Sequence, residues 1–191
     1  MFLAIGLSAE VVAMVARLQG VLAQGALAGV FRFVDPEQAH VTLRFLGQQS
    51  GGAQVRIVSA AAAVAARAAP FSVAFGGLGV FPDERRPNIL WLGLTEGRAA
   101  LIALGAELET ALGDEGFAAE GRPFVPHLTL ARVDRRPSLG MMKNLLGVAL
   151  APKRALLVDR FMLMESRSTS KGVRYLPLQI FRLESECTRF E

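Results

Sequence analysis

Two seven-residue runs constrain this chain more than any other feature. His40–Leu46 (HVTLRFL) and His127–Val133 (HLTLARV) are bounded by turn-forming residues and alternate like strands half buried in a sheet. Strand side chains point to opposite faces in turn, so His40 shares a face with Thr42, and His127 with Thr129. Val41 and Leu43, like Leu128 and Leu130, then point into a core. The two runs begin 87 residues apart in a chain of 191. That spacing predicts a pseudo-duplicated molecule in which each of two lobes lends one such strand to a shared cleft.

The rest of the chain supplies the other layers. Phe2–Leu7, Val30–Val34, Phe71–Phe75, Asn88–Leu94, Ala155–Met164 and Tyr175–Leu183 read as strands. Ser8 and Ser138 read as helix N-caps, and Pro70 stops an Ala-rich helix that starts near Ala53. Leu101, Leu104, Leu108 and Leu112 recur at helical spacing on a third helix, from about Arg98 to Leu112. The stretches GGLGVFP before Asp83 and SRSTSKG from Ser166 read as loops. Strands and helices are intermixed and no linker divides them. The expected fold is α+β: one bilobal domain over residues 1–191, with two pseudo-symmetric lobes. Mainly antiparallel sheets face a central cleft, with helices outside.

Composition removes several classes of function. Apolar residues make up 52% of the chain and charged residues 20%, so it is globular rather than disordered. Cys187 is the single cysteine, which excludes a disulfide scaffold and a cysteine-rich zinc site, and it reads as inert. Two histidines cannot build a three-histidine metal site. No carboxylate cluster points to magnesium, and no phosphate-binding glycine loop of the G-x-x-x-x-G-K-[ST] kind is present. No metal or cofactor is expected. The longest uncharged stretch, Ala68–Pro82, is 15 residues long and broken by glycines, short of the roughly 18 a spanning helix needs. No basic segment precedes the first apolar run, so no signal peptide is read and a cytoplasmic protein is expected.

Charge is unevenly spread. Residues 122–182 carry 12 basic and 3 acidic side chains, against 9 and 14 in the remainder. Eighteen of the 21 basic residues are arginine, which grips phosphate through a bidentate fork. A polyanion such as nucleic acid is a natural partner for such a half, although a solvated basic face has the same composition. Arg167 and Lys171 in the polar stretch read as plain loop residues that an RNA backbone can reach.

The chain spends both of its histidines in one pattern, and that pattern suits phosphorus chemistry. Two imidazoles facing each other serve as general base and general acid for in-line displacement, because their ordinary pKa lies near neutrality. Each threonine can donate to a non-bridging phosphate oxygen. Arg44 lies four residues after His40 and shares its face by alternation. Arg132 lies five residues after His127 and by strict alternation faces away, reaching the cleft only from a strand end or a bulge. Phe81 and Tyr175 are candidate base contacts, whereas Trp91, inside ILWLGL, reads as core.

Paired H-x-T-x motifs resemble the two-histidine phosphoesterase superfamily. FRFVDPEQAHVTLRFLG, GGLGVFPDERRPNILWLGL, RPFVPHLTLARV and GVRYLPLQIFRL further resemble the RNA 2′,3′-cyclic phosphodiesterases, also called 2′-5′ RNA ligases. The resemblance runs through essentially the whole chain in order. It implies two lobes around a V-shaped cleft and metal-independent hydrolysis of a terminal 2′,3′-cyclic phosphate to a 2′-phosphate. Reversible 2′-5′ ligation accompanies this in some members. It implies His40, Thr42, His127 and Thr129 as the catalytic set, with Arg132, Arg44, Phe81 and Tyr175 as substrate-binding residues. Phe45 matches an aromatic position of the family, but alternation turns it toward the core. The working assignment is His127 as base and His40 as acid. The implied partner is an RNA 3′ end carrying a 2′,3′-cyclic phosphate, with tRNA fragments among the candidates. A monomer without membrane contact is expected. Two alternatives stay open: a phosphodiesterase for small cyclic nucleotides or ADP-ribose cyclic phosphate, and a non-catalytic module that holds RNA ends.

Overall fold

Serine hydroxyls start three of the four helices seen in the computed structural model, which describes residues 1–24, 27–147, 155–170 and 172–184. Lys171 and Cys187 lie outside the described residues. Ser8 accepts from the Val11 amide ahead of α1 (Ala9–Leu22), and Ser50 from Ala53 ahead of α2 (Gly51–Ala65). Ser138 accepts from Met141 ahead of α4 (Leu139–Leu146). Each hydroxyl satisfies an amide the first helical turn leaves unpaired. The remaining helix, α3 (Arg98–Asp114), buries the leucine stripe at 101, 104, 108 and 112. No described helix is long and apolar enough to cross a membrane.

The strands are β1 (Phe2–Gly6), β2 (Phe31–Phe33), β3 (His40–Phe45), β4 (Phe71–Phe81), β5 (Ile89–Glu96), β6 (Leu128–Val133), β7 (Ala155–Val158), β8 (Arg160–Thr169) and β9 (Gly172–Arg182). They form two sheets, ordered β3-β1-β8-β9 and β2-β6-β5-β4-β7. Every pairing among them is antiparallel. Each sheet holds one His–Thr strand, as the two-lobe reading expects. The lobes are not halves of the sequence, however. β2 from the first half pairs with β6, and β8 from the second half pairs with β1. The first sheet joins both ends of the chain, and the second is built from its middle, between Phe31 and Val158.

Three local expectations are corrected. The glycine-rich stretch after Phe75 is strand, not loop, and carries β4 through to Phe81. Ala155–Met164 is two strands rather than one. Val158 pairs with Phe71 in the second sheet, while Arg160 pairs with Arg182 in the first, so the chain crosses between lobes at Asp159. The polar stretch from Ser166 belongs to the β8–β9 hairpin, where Ser166 pairs with Tyr175. A polar two-stranded ribbon exposed on both faces lacks the apolar alternation that marks a strand in sequence.

Helices cover the core side of the sheets: α3 packs on β3, α2 on β9 and α4 on β4. One connected apolar core joins Leu3, Val41 and Leu43 of the first sheet to Leu90, Leu128 and Leu130 of the second. A small separate cluster of Phe2, Ala4 and Met164, with Met162 and Tyr175 against it, lies on the other face of the first sheet. Gln19 of α1 ties helix to sheet: its buried Nε2 donates to the Val34 carbonyl at 2.9 Å and to the Leu130 carbonyl at 3.1 Å. Gln19→Leu keeps the volume but removes the donor. It should lower unfolding stability by about 1–3 kcal/mol, the cost of a buried carbonyl left unpaired, measured by urea denaturation.

Candidate active site

The two His–Thr strands carry the same irregularity at the same place. In β3, Ala4 pairs with Thr42 and Leu3 with Arg44, so Leu43 is an extra residue. In β6, Trp91 pairs with Thr129 and Leu90 with Ala131, so Leu130 is extra. These are β-bulges, and each puts two successive residues on the core side: Leu43 with Arg44, and Leu130 with Ala131. Alternation resumes one residue late. The residue after each bulge, Phe45 or Arg132, therefore returns to the face that carries histidine and threonine.

This reverses two expectations and supplies the route that a third required. Arg44 does not face the cleft: it is 6% exposed on the opposite side of the strand. There its Nε lies 2.7 Å from Glu109 and its Nη1 3.2 Å from Glu120, while Nη2 donates to the Ala118 carbonyl. Glu120 also accepts from the Phe45 amide at 3.0 Å, which closes off the free edge of β3. Phe45 is not core but 62% exposed, with its ring against that of Phe2. Arg132 faces the cleft side through a bulge, one of the two routes its spacing from His127 left open.

The histidines have matching surroundings. His40 Nδ1 bonds the Gln38 carbonyl at 2.8 Å, and His127 Nδ1 bonds the Val125 carbonyl at 2.7 Å. A carbonyl only accepts, so Nδ1 carries the proton in both rings and Nε2 is left for other work. The His40 ring stacks on Phe2 at 4.8 Å and meets the edge of Tyr175 at 4.9 Å. The His127 ring meets Phe81 edge-on at 4.9 Å and Trp91 at 6.1 Å. Burial pushes both imidazoles below their ordinary pKa, and the carbonyl bonds oppose that shift. A charge on His127 pushes His40 down further, so the two rings interact electrostatically. Strands β3 and β6 approach each other accordingly. Thr42 and Thr129 are half-buried beside them.

Several supporting residues escape a reading by strands alone. Trp91 is not core: it lies on the cleft face over Gly79, where a Cβ would sit 2.1 Å from the indole ring. Phe2 was legible only as a strand residue, yet it forms the floor under His40. Gln38 holds His40 through its main chain, and its Oε1 accepts from the Tyr175 amide at 2.9 Å. Phe124 anchors the approach to His127 by packing on Gly105 of α3, where a Cβ would fall 2.8 Å from the ring. Phe81 and Tyr175, both singled out from sequence, stand against the two histidines. Among the described residues no three His, Cys, Asp or Glu side chains gather as a metal site.

Two antiparallel lobes, each presenting one tethered histidine and one threonine to the other, define a two-histidine cleft protein. The sequence profile of the 2′-5′ RNA ligase superfamily matches residues 8–169, and the chain belongs to that superfamily. A Methanothermobacter thermautotrophicus protein named RNA 2′,3′-cyclic phosphodiesterase is 32% identical over 183 residues, covering 95% of this chain and 97% of that one. A Geobacillus stearothermophilus protein of the same name is 41% identical over 132 residues, 69% of this chain. That match spans only 41% of the Geobacillus protein. Among solved structures, the Thermus thermophilus protein TT0787 superposes with a TM-score of 0.77 at 26% identity, covering 97% of this chain and 98% of that one. Escherichia coli LigT complexed with 3′-AMP superposes with a TM-score of 0.77 at 25% identity, covering 96% and 97%.

Proposed function

We propose that the protein is a metal-independent RNA 2′,3′-cyclic phosphodiesterase that opens a terminal cyclic phosphate to a 2′-phosphate. The observation that carries this is the matched pair of histidines, each tied at Nδ1 to a carbonyl with Nε2 free and a threonine on the same face. Water attacks phosphorus and gives its proton to one Nε2. The P–O3′ bond breaks, and the other imidazolium protonates the departing O3′. Thr42 and Thr129 donate to the non-bridging oxygens as charge develops on them, and Arg132, farther along the same face, binds substrate. Phe81 and Tyr175 wall the site beside the nucleotide. With an RNA 5′-hydroxyl in place of water, the same steps form a 2′-5′ linkage, and their reverse cleaves it. The reading includes a bilobal monomer over residues 1–191, acting in the cytoplasm on RNA 3′ ends, tRNA fragments among them.

Burial lowers both imidazoles, and the repulsion between them opposes a charge on either ring, so the pair carries one catalytic proton with apparent pKa values that belong to the pair. In the working assignment His127 acts as base and His40 as acid.

One experiment tests this: short RNA ending in a 2′,3′-cyclic phosphate, incubated in chelator, with the product identified across pH. The expected product is a 2′-phosphate. The expected kcat/KM profile is a bell. Protonation of the base, His127, sets its acid limb and deprotonation of the acid, His40, its alkaline limb. Both pKa values are lowered, so the bell centres on the acid side of about 6.5. A bell centred above neutrality would contradict the burial argument. A 3′-phosphate product would reverse which bond breaks. Loss of turnover in chelator would remove the metal-independent mechanism.

A further inference from the structure

We propose that Arg32 and Arg132 together form a second phosphate site that takes the phosphodiester one nucleotide upstream of the reacting group. It rests on the phosphodiesterase reading above and adds to it a preference for an RNA strand over a mononucleotide.

Arg32 pairs directly with Arg132 across β2 and β6. Directly paired residues of antiparallel strands share a face. The bulge at Leu130 sets that face as the one carrying His127 and Thr129. The neighbours of Arg32 confirm the sense: Phe31 is buried in the core and Phe33 packs against it. Both guanidiniums are exposed, and among the described residues neither has an ion-pair partner. Arginines nearby in the same lobe are tied down. Arg135 donates to the carbonyls of Gly29 and Ala28, and Arg136 to that of Arg85. Like charges placed directly opposite each other on a sheet cost stability, and an anion seated between them removes that cost. Two guanidinium forks side by side suit a phosphodiester's two non-bridging oxygens.

The spacing fits a strand. Because the bulge counts Leu130 and Ala131 as one, Arg132 stands a single same-face step beyond Thr129. At about 3.3 Å of rise per residue, that step is roughly 7 Å. Neighbouring phosphates along a nucleic-acid strand have a similar separation. The cyclic phosphate ends the chain, so the only phosphate available at that distance is the one 5′ of the terminal nucleoside. A mononucleoside cyclic phosphate has none to offer.

The test compares a mononucleoside 2′,3′-cyclic phosphate with a tetraribonucleotide ending in the same group, for wild type, Arg32→Gln and Arg32→Lys. Wild type should show a lower KM for the tetranucleotide. Arg32→Gln should raise that KM about tenfold more than it raises the KM for the mononucleoside, with kcat for either substrate little affected. The slope of log kcat/KM against log salt for the tetranucleotide should fall by about one unit. Arg32→Lys, which keeps the charge, should recover part of both effects. Equal losses on the two substrates, or no loss on either, overturn the proposal. A wild type that handles both substrates with the same KM overturns it while leaving the phosphodiesterase reading standing. A wild type that turns over neither overturns both.

Discussion

Replacing His40 or His127 with alanine should lower kcat by about 10² to 10⁴-fold each, with KM changed far less. Each ring acts on a proton that moves only during reaction, so its loss is felt in the transition state and not in binding. The double variant should be little worse than the weaker single one, because base and acid serve one displacement and act as a unit. The pH profiles separate the roles. His127→Ala should lose the acid limb and His40→Ala the alkaline limb. Circular dichroism checks the fold, since His40→Ala also removes a ring stacked on Phe2. Two single variants at wild-type rates would dissolve the site, whatever the superfamily.

Arg44→Ala should act on stability and spare turnover. The guanidinium is nearly buried and engages Glu109 and Glu120, which remain 34% and 33% exposed. Breaking a fully buried pair costs about 3–5 kcal/mol. Here the stranded carboxylates can regain water, so about 2–3 kcal/mol is expected. For a chain of this size that lowers Tm by roughly 5–10 °C, read by thermal melting. The KM for the cyclic phosphate should not change. A raised KM with an intact Tm would mean that Arg44 faces the cleft after all and that the bulge in β3 is wrongly placed.

That contrast marks where reading by alternation ends. His40, Thr42, His127 and Thr129 were legible because their pattern is complete within three residues, before either strand departs from period two. Helix starts at Ser8 and Ser138 were legible because capping is local. Phe81 and Tyr175 were legible as aromatics near turns or strand ends, and both stand beside a histidine. Strict alternation misplaces Arg44 and Phe45, and brings Arg132 to the histidine face only by way of a bulge, for one shared reason. Each follows a bulge, and a single added residue inverts the parity of everything after it. Trp91 misled differently. Its apolar neighbours mark a core strand, but Gly79 on the paired strand leaves a slot that lets the indole lie flat on the open face.

The sequence by itself determined the strand-forming runs, the capped helices, the two-lobe repeat and the pairing of an imidazole with a hydroxyl in each lobe. Each of these depends on residues within a few positions of one another, and the repeat needs only that one such short motif occur twice. Only the tertiary structure decided that Asp159 divides one apolar run between two sheets, that Arg132 rather than Arg44 joins the histidine face, and that Arg32 stands beside it. These depend on register with a partner strand, as when Leu3 faces Arg44 and Leu90 faces Ala131. Register is set by long-range packing of the whole sheet, which no local run of residues contains.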